Sequence, residues 1–176
     1  AFDLGGTKTL VALIDGDRVI EAAERTTDRH LDPDAWCDAI AELAAPWQGR
    51  YGAIGGAVTG VVHAGRWSAL NPGTLPVTDG YPLAEALAGR LGQKVTLHND
   101  AQAAAWGEYR FGAGAGRDLV FVTVSTGIGG ASNQGVLVKG SNYLETLAQT
   151  RDLLLPRLMS GELRVADVDG QKAKHA

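Results

Sequence analysis

The start of the chain constrains its fold more than any later feature. Asp3-Leu4-Gly5-Gly6-Thr7-Lys8 puts a carboxylate and two glycines between extended apolar segments. A strand enters a tight hairpin here, because glycine relieves the steric limits that a Cβ imposes on a turn. The same freedom lets the backbone approach an anion, and successive N–H groups in such a turn can cradle phosphate. Gly5, Gly6, Thr7 and Lys8 are therefore candidate phosphate-binding residues. Asp3, at the strand end, is a candidate ligand for Mg²⁺, which prefers hard oxygen donors. An ordinary hairpin has the same wording, so the reading depends on the motifs elsewhere in the chain.

Residues 9–14 carry a buried-strand pattern, Asp15-Gly16-Asp17 is a turn signal, and 18–26 alternates as a third antiparallel strand. Apolar positions at helical spacing over 34–45 predict a helix, with Asp32 and Asp34 available as caps and Pro46 as its stop. A Gly-rich strand is expected at 51–58, a turn-rich stretch at 61–76, and a helix at 82–91 ended by Gly92. A strand at 94–98, a helix at 101–111 and a strand at 119–124 complete the pattern. Antiparallel strands joined to helix–strand crossovers predict an α/β fold, a mixed sheet with helices covering its faces. This order matches the N-terminal, nucleotide-binding lobe of the actin-like ATPase (ribonuclease H-like) fold. No internal repeat is visible.

A chain of 176 residues with 45% hydrophobic content makes one ordinary domain, or one lobe of a larger protein. No apolar run approaches a membrane span and no secretory pattern is present. The single Cys37 rules out an internal disulfide and a multi-cysteine zinc site. A cytoplasmic location is the default. The first strand, opening on Ala1-Phe2-Asp3, looks trimmed. The last 36 residues carry five basic and five acidic side chains, so the whole net charge of −4 falls in residues 1–140. A mildly acidic body argues against a nucleic-acid partner and for a small metal-bound ligand.

Two further motifs point to phosphoryl transfer. His98-Asn99-Asp100-Ala101-Gln102 places an Asn-Asp pair after a strand and before a helix, where α/β sheets gather ligands. Asp100 can accept a proton from a substrate hydroxyl, which contributes roughly 10²–10⁴ in rate. Asn99 can hydrogen-bond neighbouring hydroxyls. Alone, the pair reads as a helix cap. Ser125-Thr126-Gly127-Ile128-Gly129-Gly130 offers hydroxyls and N–H groups to a polyphosphate after another strand. Two such turns flanking a strand-terminal Asp favour chemistry over capping, since phosphoryl transfer is mainly positioning and charge stabilisation.

These strings, with Thr59-Gly60 and Ala69-Leu70-Asn71-Pro72, resemble the ROK family of sugar kinases over residues 1 to about 130. The resemblance implies ATP and Mg²⁺, with the 6-hydroxyl of an N-acylated hexosamine, N-acetylmannosamine above all, as acceptor. It implies Asp100 as base, and Asn99 and Asn71 on sugar hydroxyls. Gly5, Gly6, Thr7, Thr126 and Gly127 would hold phosphates, and Thr59 and Gly60 would line the sugar cleft. Intact family members are expected to be homo-oligomers. A glucokinase-like acceptor preference is the nearest alternative. A sugar-responsive regulator of the same family would need an N-terminal helix-turn-helix, which is not in the chain.

Beyond Gly130 the family pattern breaks. The Glu-x-Gly-His sugar motif, the Cys-rich zinc cluster and the second lobe are not in the sequence, so this chain alone is expected to show little kinase activity. Residues 131–140 read as a junction between unrelated reading frames, and 166–176 as disordered. Leu144, Leu147, Leu154 and Leu158 give 141–165 an amphipathic helical seam interrupted at Pro156. Its wording resembles the C-terminal end of type I restriction-enzyme specificity subunits, which implies a protein-docking segment over 141–169.

Overall fold

The structure, a computed structural model, describes residues 1–70, 72–77, 79–112, 119–124 and 128–132. Its elements in chain order are β1 (Phe2–Leu4), β2 (Lys8–Asp15), β3 (Arg18–Thr26), α1 (Pro33–Ala44) and a short 3-10 turn (Ala45–Trp47). Next come β4 (Ile54–Val58), β5 (Val61–His63), β6 (Arg66–Ser68), α2 (Leu83–Leu91), β7 (Val95–Asn99), α3 (Asp100–Phe111), β8 (Val120–Val124) and β9 (Ile128–Ser132).

The main sheet runs β3-β2-β1-β4-β7. β1, β2 and β3 pair antiparallel, as expected from the two turns, while β4 and β7 join β1 in parallel through the crossovers of α1 and α2. Strand alternation sends Phe2, Leu4, Val11, Ile54, Val58, Val95 and Leu97 to one face. There they pack with Trp36, Ile40, Leu83 and Leu87 from α1 and α2 in one continuous core. Each of these side chains removed from water contributes about 1.5–3 kcal/mol before chain entropy is counted. Both helices lie on this face. The opposite face, which carries Asp3, Gly55, Thr96 and His98, is open to solvent. The expected covering of both faces is thus observed on one side among the described residues.

Local chemistry sets the element ends. Asp32 caps α1 through its carboxylate on the Ala35 N–H, with Pro33 in the first helical turn. Gly92 ends α2 with φ at 70°, the left-handed conformation of a glycine stop. Arg90 on α2 holds Asp38 at 2.6 Å and Asp34 at 2.9 Å, tying the two helices across an exposed seam. The turn-rich stretch contains the β5–β6 hairpin, closed by Ala64 and Gly65, both at positive φ. The Gly65 carbonyl accepts from the Ala84 N–H, supplying the first turn of α2 with a partner that Pro82 cannot provide as cap. β8 and β9 pair antiparallel as a separate hairpin, so Gly129 and Gly130 lie in a strand. The tail from residue 133 onwards, with its expected junction, helix and disordered end, lies outside the described residues.

Candidate active site

Sheet register brings the motifs together. Leu4 on β1 is paired with Val58 on β4, and Val58 with Asn99 on β7, in one row across the parallel strands. The segments that leave this row are Gly5-Gly6-Thr7, Thr59-Gly60 and Asp100, so three stretches far apart in sequence emerge side by side at the carboxyl ends of the strands. That edge is where open α/β sheets bind ligands.

One row further in, Asp3, Ala57 and His98 share the open face. Asp3 is exposed as a residue, yet partial desolvation holds its carboxyl above the ordinary range, the Asp100 carboxylate pushes it further up, and the Lys8 ammonium draws it partly back. The two acids are thus within electrostatic reach. Asp100 is exposed, and its Oδ1 accepts from the Ala101 N–H at 2.8 Å. Hard carboxylate oxygens such as those of Asp3 are the donor type that Mg²⁺ takes. Among the described residues no group of three or more His, Cys, Asp or Glu side chains forms a metal cluster.

The Gly-Gly turn closes through the Gly5 N–H on the Lys8 carbonyl at 3.1 Å. A Cβ on Gly6 would stand 2.5 Å from Thr74 Cγ2, so the 72–77 loop lies directly against this turn. Arg29 reaches the Gly73 carbonyl of the same loop at 3.5 Å. Lys8 is drawn to Glu24 on β3, at 2.7 Å, in an exposed pair. Asn71, Ser125, Thr126 and Gly127 lie outside the described residues.

Asn99 is buried, and its amide makes three hydrogen bonds within the protein. Oδ1 accepts from the N–H groups of Ala101 and Gln102, while the Gln102 side chain returns to the Asn99 N–H, a capping box at the start of α3. Nδ2 donates to the Gly60 carbonyl at 2.8 Å. Gly60 is a glycine by necessity: its φ is 105°, and a Cβ would meet the Ser68 carbonyl oxygen at 2.5 Å. The Thr59 carbonyl accepts from the Trp67 indole N–H at 2.7 Å. Trp67 is the residue that sequence reasoning passed over. Its only sequence signal is an aromatic at the end of a short alternating run after the Ala64-Gly65 turn.

The sequence model of the ROK family matches residues 1–143. The chain is 54% identical over 130 residues to a bifunctional enzyme NanE/NanK of Brucella melitensis, covering 74% of this chain and 25% of that protein. It is 40% identical over 146 residues to the N-acetylmannosamine kinase of Citrobacter koseri, covering 82% and 50%. Among solved structures it resembles a ROK hexokinase from Thermus thermophilus, with TM-score 0.66, 31% identity, and 80% and 48% of the two chains covered. A ROK family glucokinase from Streptomyces griseus in complex with glucose and AMPPNP gives TM-score 0.65 at 34% identity, with 74% and 42% covered. The chain therefore spans a quarter to a half of the length of these relatives. Its fold is the N-terminal lobe of the actin-like ATPases, and the chain belongs to the ROK family.

Proposed function

We propose that this chain carries the acceptor-activating part of an ATP-dependent sugar kinase, with the 6-hydroxyl of N-acetylmannosamine as phosphoryl acceptor. The observation that carries the reading is the Leu4–Val58–Asn99 row, which sets a two-glycine turn and an exposed carboxylate at one sheet edge. The amino-sugar acceptor is supported by the identity to N-acetylmannosamine kinases. Asp100 takes the proton of the attacking hydroxyl. Gly5 closes the turn on Lys8, and the N–H groups of Gly6 and Thr7 meet phosphate oxygens, joined by Thr126 and Gly127. Asn71 and the second Nδ2 hydrogen of Asn99 meet sugar hydroxyls. Asp3 would hold Mg²⁺, which supplies charge neutralisation on the phosphates when bound.

The reading is tested by binding and by turnover. Calorimetry of this chain with N-acetylmannosamine, in the presence of Mg²⁺ and AMPPNP, is expected to show uptake that glucose competes for only weakly. Equal competition by glucose transfers the acceptor to the hexokinase type. In a kinase that contains this segment at the full length of its relatives, Asp100→Asn should cut kcat by roughly 10²-fold or more and leave AMPPNP affinity unchanged. Retained turnover removes Asp100 from the role of base.

A further inference from the structure

We propose that Trp67 is a positioning residue of the acceptor side, through a two-point clamp on the Thr59–Gly60 backbone. This rests on the sugar-kinase reading for its substrate, but the clamp itself is a matter of geometry. The Thr59 carbonyl is held by Trp67 Nε1 at 2.7 Å, and the next carbonyl, that of Gly60, by Asn99 Nδ2 at 2.8 Å. Two consecutive peptide planes are thereby fixed by two side chains from different elements. In a planar trans peptide the N–H points opposite to the carbonyl, so each plane that turns its oxygen onto the clamp turns its N–H the other way. The Gly60 N–H is directed away from Trp67.

Trp67 is suited to this work because it is packed and bonded on every side that the structure describes. Its side chain is completely buried, and its ring lies 5.9 Å from that of Trp36 at 60°. Its backbone exchanges hydrogen bonds with Tyr81 in both directions, at 2.8 and 2.9 Å. Tyr81 is in turn bonded to Asp34 on α1 at 2.9 Å. The indole N–H therefore belongs to the main core, while the carbonyl it holds leaves the sheet at the site's edge. Asn99 completes the link, since it caps the helix whose first residue is Asp100. The clamp sets the Thr59–Gly60 backbone relative to Asp100, and the sugar contacts depend on that spacing.

The test replaces Trp67 in the full chain by Phe, which keeps an aromatic ring and deletes the donor. A second variant carries β-(3-benzothienyl)alanine at the same position, which keeps the whole shape and deletes only the N–H, so a folding defect of the first does not decide the matter. Titration with N-acetylmannosamine by NMR is expected to show affinity lowered about tenfold or more in both, the scale of a buried acceptor left without its donor. AMPPNP affinity should stay within about twofold. Unchanged sugar affinity in the benzothienyl variant, or an equal loss for both ligands, overturns the positioning role. If the unaltered chain takes up no N-acetylmannosamine, the sugar reading fails for this chain, and the clamp is judged by amide exchange. Exchange at Gly60 faster by about tenfold in the benzothienyl variant, with α1 unchanged, upholds it, and unchanged exchange at Gly60 overturns it.

Discussion

The core under α1 and α2 gathers three tryptophans and a set of branched side chains, whereas the contact of α3 with the β8–β9 hairpin buries Ala101, Ala105 and Ala131, with Leu119 and Phe121 partly buried against them. The first region is held by burial, the second by a cap and by small residues. The outer side of α3 leaves Trp106 and Phe111 exposed, with the Trp106 ring 5.5 Å from that of Tyr109, tilted by 36°, and the Arg110 guanidinium 5.9 Å from its centre. The candidate base sits where the two regimes meet. Asp100 begins α3, yet Asn99 immediately before it is fastened to Gly60, and so to the larger core. The end of the helix that carries the candidate base is anchored, and the rest of it is lightly packed.

The largest expected difference between the regions is in opening. Amides of β4 should exchange about 100-fold more slowly than those in the last two turns of α3, because a small buried interface sets a low local opening free energy. Cys37 offers a second reporter. It is completely buried, and burial pushes its thiol up to about 11, so it should label with a thiol reagent only when the main core opens. Equal exchange in β4 and α3 would erase the comparison.

Truncations measure the same contrast as stability. Ile40→Ala removes a fully buried side chain from the main core and should cost about 2–5 kcal/mol in denaturant unfolding. Ala105→Gly, equally buried, takes only a methyl group from the thin interface and should cost about 1 kcal/mol, mostly helix propensity. At the boundary, Asn99→Ala should cost about 2 kcal/mol, since it deletes the cap and leaves the Gly60 carbonyl without its donor. Asn99→Ser keeps a capping oxygen but is too short to hold Gly60, so its smaller cost separates the two contributions. If Ser costs as much as Ala, the link to Gly60 carries the whole effect.

Much of the main core was legible because local chemistry and burial agree there. The Gly16 turn and the alternation after it located β3 from 18 to 26, and Gly92 marked the end of α2. The Gly-rich strand was read from residue 51, but it begins at Ile54, where pairing with Val95 starts. The β5–β6 hairpin was hidden in a turn-rich stretch, because three-residue strands are too short to show a period. Asn99 was legible as both a cap and a chemical group, and the structure shows how one amide serves the cap and the Gly60 carbonyl together. Trp67 was not legible for a physical reason. Its partner is a backbone carbonyl, which every residue has, so nothing in the side chains announces the pairing.

The smallest expected effect concerns the cost of the site's own charge. Asp3 is held above its ordinary value of 3.8, first by partial desolvation and then by Asp100. Its folded state keeps the proton to higher pH than the unfolded state does, so stability falls as pH rises through that interval and stays lower at neutral pH. Asp3→Asn removes the ionisation. Its thermal midpoint at pH 7 should therefore exceed that of the parent chain, and the gain should shrink as pH drops through the raised range and vanish below about 3.8. Part of the penalty comes from Asp100, so Asp3→Asn should gain less in an Asp100→Asn background than in the parent chain. Full additivity would mean that the two carboxylates do not share a site, and the contrast between the anchored start of α3 and its lightly packed remainder would lose its electrostatic half.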